Sequence, residues 1–152
     1  MVSHDKYANS PRRAYAQEIN DLGDDASDIS LALLADSYTP DLTGDETFAD
    51  VSGDEITATT NNDDGYPQGG QEIGNISLLQ DGSVTTFDGD DVVFDDSTIT
   101  ASFAVIYDRT PADEVDQSLL TLIDFEGEEI SEDGDFRIEF DAEGIFEVET
   151  QP

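Results

Sequence analysis

Apolar residues in this chain recur at every second position over short stretches, and this period constrains the fold more than any other feature. Phe136, Ile138 and Phe140 alternate with charged residues along positions 135–141. A period of two is that of a β-strand with one face buried and the other in solvent. Residues 99–107 repeat it and predict one apolar face made of Ile99, Ala101, Phe103, Val105 and Tyr107.

Segments of this kind, separated by turn residues, predict an all-β domain. Residues 119–125 carry apolar side chains on both faces, which is typical of a central strand or of one covered by a partner. Asp81-Gly82 predicts a two-residue hairpin, and residues 141–144 predict a longer one. About eight or nine short strands with frequent turns indicate a single β-sandwich or jelly roll. The predicted strands are a segment from Ile29 to the turn before Pro40, then 55–60, 71–79, 84–87, 91–94, 99–107, 119–125, 136–140 and 145–149, with one helical turn within 45–51.

The chain carries 38 Asp and Glu against 5 Lys and Arg, a formal net charge of −33. A surface of this sign repels phosphate backbones and anionic lipid headgroups, so the composition disfavours nucleic-acid and membrane partners. Disorder is disfavoured as well, because 37 of the 152 residues are Leu, Ile, Val or Phe and many of them follow the strand period. In molar salt the Debye length falls to about 3 Å and self-repulsion largely vanishes. The composition therefore predicts a halophilic protein.

The first thirteen residues differ in charge from the rest. They hold Lys6, Arg12 and Arg13 against Asp5, a net +2, whereas the remaining residues sum to −35. These three cations are the candidate residues for docking onto an acidic neighbouring surface. We accordingly divide the chain into a basic N-terminal arm with a short helix, residues 1–22, and a β-sandwich domain, residues 23–152.

The residue inventory argues against catalysis. There is no cysteine, hence no thiolate nucleophile, thiolate metal site or disulfide. His4, the single histidine, lies in the predicted arm, which leaves Ser/His/Asp chemistry and histidine metal sites without a base or a ligand set. Carboxylate pairs are left, and among 38 acids many pairs form by chance. We expect a non-enzymatic protein with no catalytic residues and no cofactor.

One acidic run has the composition of a cation site. Asp88, Asp90 and Asp91 lie within a few residues of one another and are candidate ligands of a structural cation. The run lacks the closing glutamate of a twelve-residue calcium loop. The alternative is a set of solvated acidic turns that hold Na⁺ or K⁺ loosely.

An ordered series of segments spans most of the chain: Leu31–Leu34, Ser37–Asp41, Phe48–Ser52, Gly69-Gly70, Phe87–Val92, Thr98–Tyr107, Ile123–Phe125 and Gly134–Phe140, with Gly144 near the end. In this order they resemble a family of small structural proteins encoded among the head genes of tailed phages and haloarchaeal tailed viruses. The resemblance implies a β-sandwich virion protein that decorates the capsid or forms a turret or spike base.

The expected function is thus that of a structural component of a halophilic tailed virus particle, located on the capsid surface and in the host cytoplasm during assembly. Its expected partners are further copies of itself, as a trimer or pentamer, and the major capsid protein or neighbouring virion proteins. A neck or tail structural protein is one alternative. A receptor- or glycan-binding β-sandwich with its site in the loop Asn61–Gly70 is another, and a carboxylate hydrolase is the third.

The halophilic interpretation makes a direct prediction about stability. Because salt screens the repulsion among 38 carboxylates, the unfolding midpoint in urea should rise steadily as KCl increases from about 0.1 M to about 3 M. Circular dichroism at each salt concentration measures the midpoint. A midpoint that does not increase with KCl would contradict the interpretation.

Overall fold

The strands and turns of this chain are known for most of its length: the computed structural model describes residues 3–6, 28–56, 65–81, 84–140 and 146–149. The predicted all-β class is confirmed, because regular structure in these ranges consists of strands and three single 3-10 turns. The turns are Phe48–Asp50, Ser52–Asp54 and Glu114–Asp116. The strands are β1 (Ser3–Lys6), β2 (Ile29–Leu34), β3 (Gln71–Glu72), β4 (Ser77–Asp81), β5 (Val84–Asp88), β6 (Val92–Asp108), β7 (Leu119–Ile138) and β8 (Phe146–Glu149).

These strands form two antiparallel sheets. The larger has the order β1-β7-β6-β2-β3, and the smaller has the order β4-β5-β8. The long strands β6 and β7 pair from Val92 opposite Ile138 to Tyr107 opposite Leu119. The first part of β7 lies between β1 and β6, so the central position predicted from its two apolar faces is confirmed.

Both faces of the larger sheet are covered by other parts of the chain. Along β2 the odd-numbered residues belong to one apolar cluster, whereas Ala32 and Leu34 belong to a second. Successive side chains of a strand point to opposite faces, so the two clusters lie on opposite sides of the sheet. Residues of 38–51 close the second cluster with Tyr38, Phe48 and Val51, and the first is closed by Tyr66, Ile73, Phe94, Phe136 and Ile138.

The single apolar face predicted for residues 99–107 is wrong in one respect. Ile99 and Ala101 belong to the first cluster, but Val105 and Tyr107 belong to the second. The pairing of β6 with β7 shifts register between Ala101 and Phe103, where four residues of β7 oppose one of β6. A bulge of this kind changes the face to which the following residues point.

Bulges also bend the outer part of the β6–β7 pair back over the core. Phe125 and Phe136 are eleven positions apart on β7, which would separate them by about 36 Å in a straight strand. Their ring centroids are 6.0 Å apart. Asp96, Glu126 and Asp133, which lie near the three register shifts between Phe94 and Phe103, have positive φ values of 48°, 58° and 49°. One long hairpin thus contributes both to the sheet and to the layer that covers it.

Several predicted strand boundaries are corrected by the pairing. The predicted strands 91–94 and 99–107 are parts of one strand, β6, which continues through a bulge between them. At this bulge the buried Ser97 hydroxyl donates to Phe94 O (2.9 Å) and is hydrogen-bonded to the Ser131 hydroxyl (2.9 Å). The strands 119–125 and 136–140 are likewise parts of β7, ending at Ile138. In contrast, the strand 71–79 is split at Asn75, whose φ of 51° carries the chain from one sheet to the other.

Other local predictions are confirmed or lie outside the described residues. Asp81 pairs with Val84, so a two-residue hairpin joins β4 to β5 as predicted, but Asp81 itself belongs to β4 and not to the connection. The alternation along 135–140 is confirmed, since Phe136 and Ile138 are buried and their acidic neighbours are exposed. The helical turn expected within 45–51 is the 3-10 turn at Phe48. Of the strand 55–60, residues 55 and 56 are described, and Glu55 makes an isolated bridge. The hairpin predicted at 141–144 lies outside the described residues, as do residues 7–22 of the arm, in which the short helix is expected.

The start of the chain is part of the β domain. We expected residues 1–22 to form a separate arm, but Ser3–Lys6 pair with Asp124–Thr121 as the edge strand of the larger sheet. Without β1, the first part of β7 would have unpaired backbone groups on the side away from β6. The extended segment Ser3–Lys6 supplies their hydrogen-bond partners. A boundary at residue 22 therefore does not separate β1 from the sheet.

Gly70 marks the closest approach between two backbone segments. Its φ is +85°, and a Cβ placed on it would lie 1.9 Å from Leu31 O. We expect Gly70→Ala to lower the free energy of unfolding by at least about 2 kcal/mol, through positive-φ strain and displacement of β2. Gly53→Ala is the control, because no atom lies within 4 Å of its Cβ position. Equal stability of the two variants in urea unfolding would show that the approach at Gly70 is unimportant.

Candidate functional site

A buried carboxylate, Glu55, lies at the outer edge of β2. It follows the 3-10 turn Ser52–Asp54, and its backbone bridges to Leu34. Its side chain lies beneath residues 65–70, where Gly70 N–H donates to Pro67 O (2.9 Å) and closes a turn. Gly69 and Gly70 have φ values of 88° and 85°, which side-chain-bearing residues rarely adopt. This turn brings the backbone close enough for Glu55 to bind it directly.

Three donors bind the Glu55 carboxylate. The Tyr66 hydroxyl donates to Oε2 (2.5 Å), Gly69 N–H donates to the same oxygen (2.7 Å), and the Gln68 amide donates to Oε1 (2.5 Å). The side chain is only 8% exposed. A buried carboxylate needs hydrogen-bond donors of this kind, because burial removes its hydrating water molecules and an unpaired charge has nothing to replace them.

The hydrogen bonds continue from Glu55 into two strands. The Tyr66 hydroxyl also accepts from Leu33 N–H of β2 (3.0 Å), and the Tyr107 hydroxyl of β6 donates to Gly69 O (2.6 Å). Arg109 donates more weakly to Gln68 O (3.4 Å). We call Glu55, Tyr66, Gln68, Gly69 and Tyr107 the Glu55 network.

Burial dominates the protonation equilibria of this network. It raises the pKa of Glu55 above the ordinary glutamate range, and the three donated hydrogen bonds oppose that rise. Burial also raises the pKa of Tyr66, with a further rise from the Glu55 charge. The pKa of Tyr107 is raised by burial and opposed by the Arg109 charge. Both hydroxyls are therefore protonated donors at neutral pH.

The arrangement holds the backbone in place. Both carboxylate oxygens accept protein hydrogen bonds, and both tyrosine hydroxyls are engaged. The network fixes residues 65–70 against β2 and β6. In the predicted binding loop Asn61–Gly70, residues 61–64 lie outside the described ranges, and Tyr66, Gly69 and Gly70 are buried. Residues 65–70, the described part of that loop, thus pack on the sheet through these three residues.

The structure directs the three predicted cation ligands to different partners. Asp88 accepts from Gly89 N–H (2.8 Å), Asp90 from the Asn75 amide (2.6 Å) and Asp91 from Phe140 N–H (2.9 Å). Across residues 28–56, 65–81 and 84–140, no three acidic or histidine side chains are grouped as ligands of one metal ion. Asp88 stabilises the connection after β5, Asp90 binds the turn at Asn75, and Asp91 binds the backbone just after the end of β7.

The predicted docking residues fall at the edge of the larger sheet or outside the described ranges. The backbone of Lys6 lies in β1 opposite Thr121. Arg12 and Arg13 are outside the described residues. We call residues 1–13 the basic segment; its described part, Ser3–Lys6, lies beside the first part of β7.

A second surface feature is a groove of about 450 Å³ on the outer part of β7. Phe125, Phe136 and Ile138 supply apolar walls, and Glu129, Asp135 and Glu139 lie among the lining residues. Ile130, 62% exposed, lies at the same place. The bend that brings Phe125 to Phe136 creates this groove.

Sequence reasoning did not single out Glu55 or Tyr66. Glu55 sits in a predicted strand, where an acid is ordinarily placed on the solvent face. The signal that was present is Pro67 followed by Gly69-Gly70, because consecutive glycines mark close backbone approach. Nothing in the spacing says which carboxylate lies beneath them.

Comparison with known proteins gives no relative from which a function is transferred. The chain matches no protein-family profile, no curated protein and no solved structure. None of the helical turns in the described ranges has the length or apolar character needed to cross a membrane.

The raised pKa of Glu55 predicts a specific pH dependence. A group whose pKa is raised by folding stabilises the fold at pH values below its ordinary pKa, and this contribution is lost as pH rises through the raised value. Glu55→Gln removes the titration, so the stability of this variant relative to the parent should increase as pH rises above about 4.5. Urea unfolding at constant KCl measures the difference. Glu72→Gln, at an exposed glutamate, is the control, and equal pH profiles for both variants would contradict the assignment.

Proposed function

We propose that this protein is a non-enzymatic structural component of a halophilic tailed virus particle, a capsid decoration or turret/spike-base protein. The proposal rests on the resemblance of the ordered segments and on an all-β domain with a strongly acidic surface. The described residues that carry the segments lie in the paired strands and in the turns that cover the sheet. A neck or tail position in the same particle is the second possibility within this class.

The observation that carries the proposal is the position of Ser3–Lys6, the described part of the basic segment. Its start is anchored as β1, which pairs with the first part of β7. Arg12 and Arg13 follow Lys6 by six and seven residues in the sequence. In a chain of net charge −33, this is the part attracted to an acidic partner. An anchored basic segment on an acidic domain suits attachment to a lattice of acidic subunits.

We also propose a β-sandwich as the finer description of the fold. Support comes from the first apolar cluster, which lies between the larger sheet and the folded-back part of β6 and β7. Ile73 and Ile76, on the connection toward the smaller sheet, pack on the same cluster. Two layers around a shared core are the defining feature of a sandwich.

In this role the partners are other copies of the chain, as a trimer or pentamer at a symmetry axis, and the major capsid protein or its neighbours. The site of action is the capsid surface, reached from the host cytoplasm during assembly. The candidate contacts are Lys6, Arg12 and Arg13.

Charge reversal in the basic segment tests the proposal. Deleting residues 1–13 would remove β1, so substitution is the cleaner experiment. We expect the double variant Arg12→Glu and Arg13→Glu to be incorporated into particles at least about tenfold less than the parent chain, since each reversal replaces attraction by repulsion. Quantitative mass spectrometry of purified particles, relative to the major capsid protein, measures incorporation.

The single variants Arg12→Glu and Arg13→Glu are compared with Arg137→Glu, which makes the same change of charge at an exposed residue of β7 outside the basic segment. The Arg137→Glu variant should be incorporated normally, and circular dichroism should show the same fold for all variants. Incorporation that is unaffected by the double reversal would overturn the docking role. Absence of the parent chain from particles would overturn the virion assignment, and its presence only in separated tails would place it there instead of on the head.

A further inference from the structure

The groove on the outer part of β7 has an apolar wall. Its volume is about 450 Å³, and Phe125, Phe136 and Ile138 supply most of the wall. Ile130, which also lines the groove, is 62% exposed. An apolar surface that polar residues surround is typical of a site that binds another polypeptide. The wall therefore fits an apolar or aromatic side chain.

The charged residues of the same groove are mainly acidic. Glu129, Asp135 and Glu139 lie among the lining residues, and Arg137 lies there as well. All four are exposed, and together they carry a net charge of −2. We call these four residues the rim of the groove. A complementary ligand thus combines an apolar group with positive charge.

The sequence of the basic segment contains this combination. The chain has five lysines and arginines, and three of them lie in the basic segment. Two of these three, Arg12 and Arg13, follow Tyr7 and Pro11. A tyrosine ring packs on apolar side chains, and guanidinium groups bind carboxylates through charge-assisted hydrogen bonds. Residues 7–13 therefore have the chemistry that the groove requires.

The direction of β1 favours a second copy of the chain as the source of this segment. Because β1 runs antiparallel to β7, the chain moves away from Phe125 as it proceeds from Ser3 to Lys6. Lys6 lies opposite Thr121, about 13 Å along β7 from the Phe125 side of the groove. Residues 7–13 continue from this far end of β1. Binding to the groove of the same copy would require the chain to reverse its direction, whereas binding to the groove of a neighbouring copy would not.

We propose that the groove on the outer part of β7 binds residues 7–13 of a second copy of the chain. Tyr7 packs on the apolar wall, and Arg12 and Arg13 bind carboxylates of the rim. The contact joins two different surfaces, so it is head to tail, and contacts of this kind close into a ring where the rotation between copies permits. The inference rests on the docking role proposed above for the basic segment and gives that role a partner surface.

The combination of apolar and charged contacts distinguishes the groove from the rest of the acidic surface. In molar salt the Debye length is about 3 Å, so an arginine is attracted mainly by carboxylates that it touches directly. Apolar contact is not an electrostatic attraction, and salt does not screen it. Isolated exposed carboxylates elsewhere on the chain therefore bind the segment much more weakly than a groove that offers both kinds of contact.

Charge reversal on each side of the contact tests the inference. The segment variant carries Arg12→Glu and Arg13→Glu, and the groove variant carries Glu129→Arg and Glu139→Arg. We expect each variant alone to self-associate at least about tenfold more weakly than the parent chain in about 1 M KCl, because like charges then face one another. An equimolar mixture of the two variants should recover association, since each offers the other a complementary surface. Analytical ultracentrifugation over a concentration series measures association.

Two matched controls separate the groove from general surface effects. Asp36→Arg combined with Glu72→Arg makes the same change of charge at two exposed residues outside the groove, and it should leave association stronger than in the groove variant. Ile130→Ser should weaken association, whereas Val115→Ser, at an exposed apolar residue of the 3-10 turn Glu114–Asp116, should not. Arg137→Glu makes the rim more acidic and should not weaken association. Circular dichroism should show the parent fold for every variant.

Three results would overturn the inference. The first is equal self-association of the groove variant and its charge control, and the second is a mixture of the segment and groove variants that fails to recover association. The third is a parent chain that stays monomeric at every concentration, which is the result expected if each groove holds the basic segment of its own copy. All three are measured on purified protein, whereas the virion role is tested by incorporation into particles, so failure of one is distinguishable from failure of the other.

Discussion

The pairing of β6 with β7 is the constraint on which the other parts of this fold depend. These strands, of 17 and 20 residues, form the centre of the larger sheet, and β1 and β2 pair on either side of them. Their outer halves cover the core that their inner halves help to build. This double role is possible because the ladder bends at its bulges, where hydroxyls of Ser97 and Ser131 bond to each other and to nearby backbone carbonyls. A ladder without bulges would extend away from the core and leave Phe94 and Phe136 in solvent.

The sequence predicts the strand content of this fold well and its register poorly, for a physical reason. Alternation depends on burial, and the alternation along 135–140 is retained because one face of that segment packs on the core. Where two paired strands shift register at a bulge, the apolar period of neither strand indicates the shift. The acidic pair Asp95-Asp96 is typical of the end of a strand. The pairing of β6 with β7 nevertheless continues past it, because Asp96 adopts a left-handed conformation and Ser97 is the buried residue that pairs next. The side to which Val105 and Tyr107 point follows from the partner strand.

The candidate site was less accessible from sequence than the fold. Glu55, one of 38 acids, differs from the others only through its position beneath residues 65–70, which tertiary packing determines. The glycine pair at 69–70 was visible, but the reason for it is the approach of Gly70 to Leu31, on a strand about forty residues earlier. Likewise, the net positive charge of the first thirteen residues suggested a detached segment. Charge does not report backbone pairing, and β1 is joined to the sheet through hydrogen bonds that any sequence can supply.

The chemistry of the Glu55 network follows from the same excess of acid that dominates the surface. A buried carboxylate is usually compensated by a cation, but the whole chain holds only five lysines and arginines. The partners of Glu55 are instead neutral: a phenol, an amide and a backbone N–H. Neutral partners are suited to a saline environment. In molar salt the Debye length is about 3 Å, so the attraction within exposed ion pairs is strongly screened, whereas buried hydrogen bonds from neutral donors are screened much less. The surface carboxylates then need salt to suppress their repulsion, while the hydrogen bonds to the buried Glu55 depend on salt much less.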